Sequence, residues 1–155
     1  MDPAAPVLFL DFDGVVARVM GPDTPGFVRI NGAAIQKLNP LVMLGVRFIL
    51  SPRRGEAGTP STICATITKW MREKGFQGEL SGATPVLPSG HRGEEIQAWL
   101  DAQPVQPRAI AIVDDHEPMG HLTPRTVYTD ESTLITTEDV IRLTSLLTPL
   151  PNNPA

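Results

Sequence analysis

The sequence predicts an α/β fold with a mostly parallel sheet and helices on both faces. Two apolar runs, Val7–Leu10 and residues 109–113, are short and uninterrupted, which is typical of strands that are buried on both faces. Segments with helical spacing of apolar residues lie between these runs, and this alternation favours parallel strands joined by right-handed crossovers. Both runs lead directly into a pair of aspartates. Because ligands of such sheets bind beyond the carboxyl ends of the strands, these aspartates mark the expected site.

Local signals predict the individual elements in chain order. The expected strands cover residues 7–10, 46–50, 78–81, 109–113 and 126–128, and the expected helices cover residues 31–45, 59–75, 92–101 and 137–147. Asn31 should cap the first helix, and Pro40 should kink or break it. Thr59 precedes a proline at the first helical position, and Thr136 with Asp139 resembles a capping box.

Composition excludes several classes of protein. The chain has 155 residues, 41% hydrophobic and 19% charged, as expected of a globular domain, and no apolar run approaches membrane-spanning length. We expect one domain over residues 7–148 with flexible ends at 1–6 and 149–155. The start of the chain lacks the pattern of a signal peptide, so we expect a cytoplasmic location. The net charge of -4 gives no general attraction to nucleic acid or anionic lipid, and the single cysteine, Cys64, should lie in the core.

The motif with the clearest chemical content is Asp11-Phe12-Asp13-Gly14, which follows the first strand. In extended chain Asp11 and Asp13 project to the same side. Neighbouring carboxylates repel each other, so a fold that places them together holds a cation there or keeps one of them protonated, and oxygen ligands of this kind suit Mg²⁺. The alternative interpretation is a strand end followed by an Asp-Gly turn, with both acids solvated.

The stretch from Leu10 to Val15 resembles the first motif of the haloacid dehalogenase (HAD) superfamily of phosphohydrolases. The resemblance implies a Rossmann-like fold and a Mg²⁺-dependent phosphatase. It also implies that Asp11 is the nucleophile, and that Asp13 is the general acid/base and a metal ligand through its backbone carbonyl. Such an enzyme would form an aspartyl-phosphate and hydrolyse it in a second step.

Three later motifs extend the resemblance. Ser51, after the second strand, resembles the phosphate-binding hydroxyl of the second motif, and Arg92 resembles the cation of the third. Asp114 and Asp115 resemble the acidic fourth motif, with Asp114 as the expected direct metal ligand and Asp115 as the alternate. His116 is interpreted as at most a neighbour of this site.

Residues 91–100, 112–116 and 129–140 resemble the small HAD domains that are associated with RNA-repair proteins. The sequence departs from the family pattern at two motifs. Arg92 stands where most superfamily members carry lysine. The arginine keeps the positive charge, but it binds oxygens through a planar guanidinium instead of a single ammonium group. The sequence after Ser51 lacks the serine-tryptophan-arginine pattern of the subfamily, so Arg53 and Arg54 either share phosphate binding or are solvated loop charges.

The length of the connecting segments predicts an open site. The resemblance implies two places for a cap domain, which many HAD enzymes insert either after the first motif or between the second and third motifs. Here residues 16–30 are only long enough for a loop or small hairpin, and the loop at 82–90 is too short for a folded module. An open site suits a substrate that brings its own surface, so we expect a phosphorylated protein or a polynucleotide end as the partner.

Two other function classes stay open. One is a catalytically silent domain of the same fold that binds a partner or phosphate without turnover, which the altered second motif allows. The other is a receiver-type phosphoacceptor, which also clusters acids in a parallel sheet. Receiver domains carry their motifs in a different order, with a lysine near the end of the domain. No lysine follows Lys74 in this chain.

Overall fold

A parallel sheet forms the centre of the computed structural model, which describes residues 2–20, 23–52 and 58–148. Its strands within these ranges are β1 (Val7–Leu10), β2 (Arg47–Leu50), β3 (Leu80–Ala83), β4 (Ile110–Asp114) and β5 (Thr126–Tyr128). The strand order is β3-β2-β1-β4-β5, and each neighbouring pair runs parallel. The predicted α/β fold is confirmed, and β1 lies in the middle of the sheet.

Helices connect the strands. They are α1 (Gly26–Arg29), α2 (Gly32–Gln36), α3 (Asn39–Met43), α4 (Pro60–Glu73), α5 (Arg92–Asp101) and α6 (Thr137–Leu147), with a 3-10 helix at Gly120–Arg125. Thr59 and Thr136 cap α4 and α6, each in a capping box. Asn31 caps α2. The predicted break is present between α2 and α3, and Pro40 lies in the first turn of α3. The predicted caps and the predicted helix break are therefore confirmed.

Side chains of β1 alternate between two apolar layers, one on each face of the sheet. Leu8 and Leu10 are buried in the layer that is shared with α2, α4 and α6. Val7 and Phe9 are buried in the layer covered by α5, where the ring of Phe9 meets that of Trp99 edge-on at 5.4 Å. Because β1 is covered on both faces, the position at which it ends is fixed by packing on both sides.

The register of the sheet aligns the ends of three strands. Leu10, the last residue of β1, pairs with the last residue of β2 and with the fourth residue of β4. The backbone N–H of Ser51 donates to Leu10 O at 2.9 Å, and that of Asp11 donates to Val113 O at 3.1 Å. The residues predicted to carry chemistry therefore leave the sheet side by side.

The described residues at the two ends of the segment between Val16 and Ile30 pair with each other, as expected of a small hairpin. Ala17 and Ile30 form an antiparallel bridge, and Arg18 N donates to Arg29 O at 2.9 Å. The helical turn α1 within this segment was not predicted. We call residues 16–30, of which 21 and 22 lie outside the described ranges, the flap.

Two expectations from composition can be compared with these elements. Cys64 is buried in α4, as expected of a core residue. Among the helices in the described ranges, none combines the length and apolar character needed to cross a membrane.

Candidate active site

Two aspartates from adjacent strand ends meet one arginine. Arg92 Nη1 donates to Asp11 Oδ1 at 3.3 Å, and Arg92 Nε lies 3.7 Å from Asp114 Oδ2. Arg92 Nη1 also donates to the backbone oxygen of Ser51 at 3.3 Å, which ties β2 to the same cation. The structure thus brings together four of the residues that were predicted from sequence.

The start of α5 places Arg92 over the sheet because the next residue has no side chain. A Cβ atom at Gly93 would lie 2.6 Å from the backbone oxygen of Met119, which is far closer than Cβ contacts allow. Glycine therefore lets the first turn of α5 pack directly on the segment after β4. Further along α5, Ile96 and Trp99 are buried against β1 and β4, which fixes the helix direction.

Asp114 is held by one oxygen while the other is left without a hydrogen bond. Its Oδ1 accepts from the backbone N–H groups of His116 and Glu117, each at 3.0 Å. Its Oδ2 is buried and has no hydrogen-bond partner in the described part of the chain. Burial raises the pKa of Asp114 above its ordinary value, against the two backbone donors and the charge of Arg92. An oriented, buried carboxylate oxygen of this kind is suited to a cation.

Gly14 makes room for the second aspartate of the fourth motif. Its φ of 83° is in the left-handed region, and a Cβ atom there would lie 2.4 Å from Asp115 Oδ2. The hydroxyl of Thr129 donates to Gly14 O at 2.9 Å and holds this loop from the β5 side. Gly14 is therefore needed both for its backbone conformation and for the close approach of Asp115.

The site is acidic and poorly solvated. Burial raises the pKa of Asp11 to about 8; the charges of Asp114 and Asp115 act in the same direction, and Arg92 opposes them. Ligand atoms of Asp114, Asp115 and His116 lie within 4.8 Å of one another, so this cluster could hold a metal ion. His116 Nδ1 lies 2.7 Å from Asp115 Oδ1, which raises the pKa of the imidazole. The sequence had suggested His116 only as a neighbour of the site.

On the flap side, Asp13 is paired with a residue that the sequence reasoning missed. Arg29 Nη1 donates to Asp13 Oδ1, and Arg29 is only 6% exposed. Arg29 follows Phe27 and Val28 and precedes Ile30, and an arginine in such an apolar run needs a partner if it is buried. That signal was available in the sequence, but it does not identify the partner.

Ser51 and Arg29 also line one small cavity between the flap and α4. Its volume is about 110 Å³, and the aromatic rings of Phe12 and Trp70 form part of its wall. Ser51 is 3% exposed. Residues 53 and 54, the arginines proposed to share phosphate binding, lie outside the described residues.

Comparison with known proteins identifies one family. The family model described as "HAD domain in Swiss Army Knife RNA repair proteins" matches residues 7–140. The matched range begins at β1, ends within α6 and contains every site residue described above. No curated protein and no solved structure matches the chain. The resemblance drawn from the sequence motifs is confirmed.

Proposed function

We propose that this chain, which belongs to the family of HAD domains in Swiss Army Knife RNA repair proteins, is a Mg²⁺-dependent phosphohydrolase. The observation that carries the proposal is the network in which Arg92 lies between Asp11 and Asp114 at the ends of β1 and β4. It combines a buried carboxylate at a strand end, a cation for phosphoryl oxygens and a second carboxylate for a metal. The family description supports phosphohydrolase chemistry in general terms.

In the first step the Asp11 carboxylate attacks phosphorus and the bond to the leaving oxygen breaks, which gives an aspartyl-phosphate. Asp13 donates a proton to that leaving oxygen. The guanidinium of Arg92 and the hydroxyl of Ser51 hold the remaining phosphoryl oxygens. In the second step Asp13 takes a proton from water, the water oxygen bonds to phosphorus, and inorganic phosphate leaves as the Asp11 carboxylate is restored.

The residues present fit a divalent cation. Asp114 Oδ2 is buried without a hydrogen-bond partner among the described residues, and the charges of Asp114 and Asp115 both raise the pKa of Asp11, so these carboxylates repel one another. Asp11, the Asp13 backbone carbonyl and Asp114 would hold the ion, with Asp115 as the alternate ligand. When bound, Mg²⁺ would offset the repulsion between the nucleophile and a phosphate dianion.

The short connections around the site and the family together favour one class of substrate. The flap is small, and the connection at residues 84–91 carries no folded module over the strand ends. A site of this kind gains little from enclosing a small metabolite, so the substrate should supply its own binding surface. The family description refers to RNA repair, which favours a terminal phosphate on a polynucleotide over a phosphorylated protein.

Hydrolysis of a generic aryl phosphate with and without Mg²⁺ tests the proposal. We expect turnover that needs the metal, and we expect Asp114→Asn to raise the Mg²⁺ concentration required for half-maximal rate. Arg108→Met, which removes an exposed ion pair with Asp2, is the matched control and should leave the rate unchanged. Absence of turnover with every phosphate tested would favour the catalytically silent alternative.

A substrate panel then tests which class of phosphorylated molecule is preferred. Phosphosugars, nucleoside monophosphates, phosphopeptides and 3′-phosphorylated oligonucleotides would be compared by kcat/KM. We expect the oligonucleotide to be preferred, with a rate that falls steeply as salt rises because phosphate contacts release counterions. A clear preference for a free phosphosugar would contradict the open-site argument, and a preference for the phosphopeptide would reassign the partner.

A further inference from the structure

Arg29 is a buried arginine that the proposed mechanism does not use. It is the last residue of α1, and its guanidinium donates to the carboxylate of Asp13, which lies 16 positions earlier in the chain. A buried guanidinium is costly unless it is paired and hydrogen-bonded, so the contact constrains both side chains. The flap thereby reaches the residue proposed to move protons.

The flap itself holds Arg29 in place. The backbone oxygen of Arg29 accepts from Arg18 N at 2.9 Å, which joins the two sides of the flap. At Gly26 the flap packs closely against α4. A Cβ atom at this position would lie only 2.9 Å from the ring of Trp70. The position of the guanidinium is therefore set by the fold of the flap and its packing on α4.

The carboxylate of Asp13 is more exposed than its partner. Its side chain is 25% exposed, whereas that of Arg29 is 7% exposed. A general acid or base must lie within hydrogen-bond reach of the proton that it transfers, and small displacements cost rate. A fixed cation at Oδ1 limits the positions that this partly exposed carboxylate can adopt.

We propose that Arg29 is a positioning residue that acts through Asp13. It holds the Asp13 carboxylate where the proton reaches the leaving oxygen in the first step and is taken from water in the second. The inference rests on the proposed function and adds one requirement to it. Arg29 should matter for turnover only while residue 13 has a carboxylate to position.

A double-mutant cycle on the full chain tests this requirement, with an aryl phosphate and saturating Mg²⁺. Asp13→Asn should lower kcat by about 10² to 10⁴-fold, the range of general acid-base catalysis. Arg29→Met should lower kcat by about 10 to 100-fold through misplacement of the carboxylate. The double variant should be no slower than Asp13→Asn alone. Arg29→Lys keeps the charge without the planar fork and should fall between the wild-type protein and Arg29→Met.

The leaving group provides a second readout that a purely structural role would not change. The loss in Arg29→Met should be larger with an alkyl phosphate than with an aryl phosphate, because alkoxide leaving groups depend more on proton donation. Arg108→Met again serves as the matched control, since it also replaces an arginine that is paired with an aspartate. It should retain wild-type turnover with both substrates.

Several outcomes would overturn the inference. If Arg29→Met slowed the Asp13→Asn variant by the same factor as it slows the wild-type protein, Arg29 would act independently of Asp13. Wild-type turnover in Arg29→Met, an equal loss with both leaving groups, or loss of folding in both Arg29 variants would also contradict it. A wild-type protein without hydrolysis would overturn the proposed function itself, so the two failures are distinguishable.

Discussion

Two arginines reach the candidate site from very different parts of the fold. Arg92 begins α5, a helix of 10 residues whose apolar face is buried against the sheet. Arg29 ends α1, a turn of 4 residues within the flap. Both side chains are largely buried, and each contacts a different aspartate of the first motif, Asp11 for Arg92 and Asp13 for Arg29.

The difference lies in what determines each contact. The network of Arg92 joins residues at the ends of β1 and β4, so the hydrogen-bond register of the sheet fixes its geometry. The pair of Arg29 and Asp13 depends on how a short irregular segment packs against α4. We therefore expect the first network to carry the bond-making chemistry and the second to set the position of the proton donor.

The largest expected effect is at Asp11, the proposed nucleophile in the network of Arg92. Asp11→Asn should lower turnover of an aryl phosphate by about 10⁴-fold or more, because an amide cannot form the covalent intermediate. The fold should be retained, since the substitution keeps the shape and removes one carboxylate from an acidic cluster. Steady-state kinetics with Mg²⁺ and a thermal melt would measure both. Turnover within tenfold of the wild-type rate would remove Asp11 from the role of nucleophile.

A smaller effect is expected at Arg92, and it tests the comparison directly. Arg92→Met should lower kcat by about 10² to 10³-fold, the loss typical of removing one donor to a developing negative charge. Arg92→Lys should lose less because the charge remains. The same assay on Arg29→Met provides the comparison. If Arg29→Met were slower than Arg92→Met, the flap would contribute more to the chemistry than the sheet network.

Much of the fold was predictable because its elements follow regular periods. The patterns predicted α5 and α6 at their observed residues, and β1 at Val7–Leu10. β3 was predicted about two residues too early, because Ser81 and Gly82 give it no alternating apolar pattern. The 3-10 helix at Gly120–Arg125 contains Pro124 and has no apolar repeat, so no sequence period indicated it.

The candidate site divides in the same way. Asp11, Arg92 and Asp114 were predicted because each lies at the end of a strand or the start of a helix. The contacts of Arg29 and Thr129 were not predicted, because they join positions far apart in the sequence through irregular segments. The role of Gly14 in admitting Asp115 depends on a backbone angle that the sequence alone does not give.

The smallest expected effect concerns stability, and it distinguishes the buried acidic network from exposed carboxylates. In the folded protein the pKa of Asp11 is raised from 3.8 to about 8, first by burial and then by the charge of Asp114. Between these values the unfolded chain has lost the proton that the folded protein still holds. Stability must therefore decrease as pH rises through this range, which is the reverse of the usual behaviour of an aspartate.

We expect the melting temperature of the protein in chelator to fall between pH 5 and pH 8, on the order of 5 °C. Asp11→Asn should reduce this fall, but Asp114 should keep part of it because its pKa is also raised. Asp101→Asn, which removes an exposed carboxylate outside the acidic network, is the matched control. Added Mg²⁺ should raise the melting temperature most at pH 8, because a cation binds the ionised carboxylates and removes the cost of ionising them. Equal slopes in the wild-type protein and Asp11→Asn would mean that the Asp11 carboxyl group does not hold its proton in the folded chain.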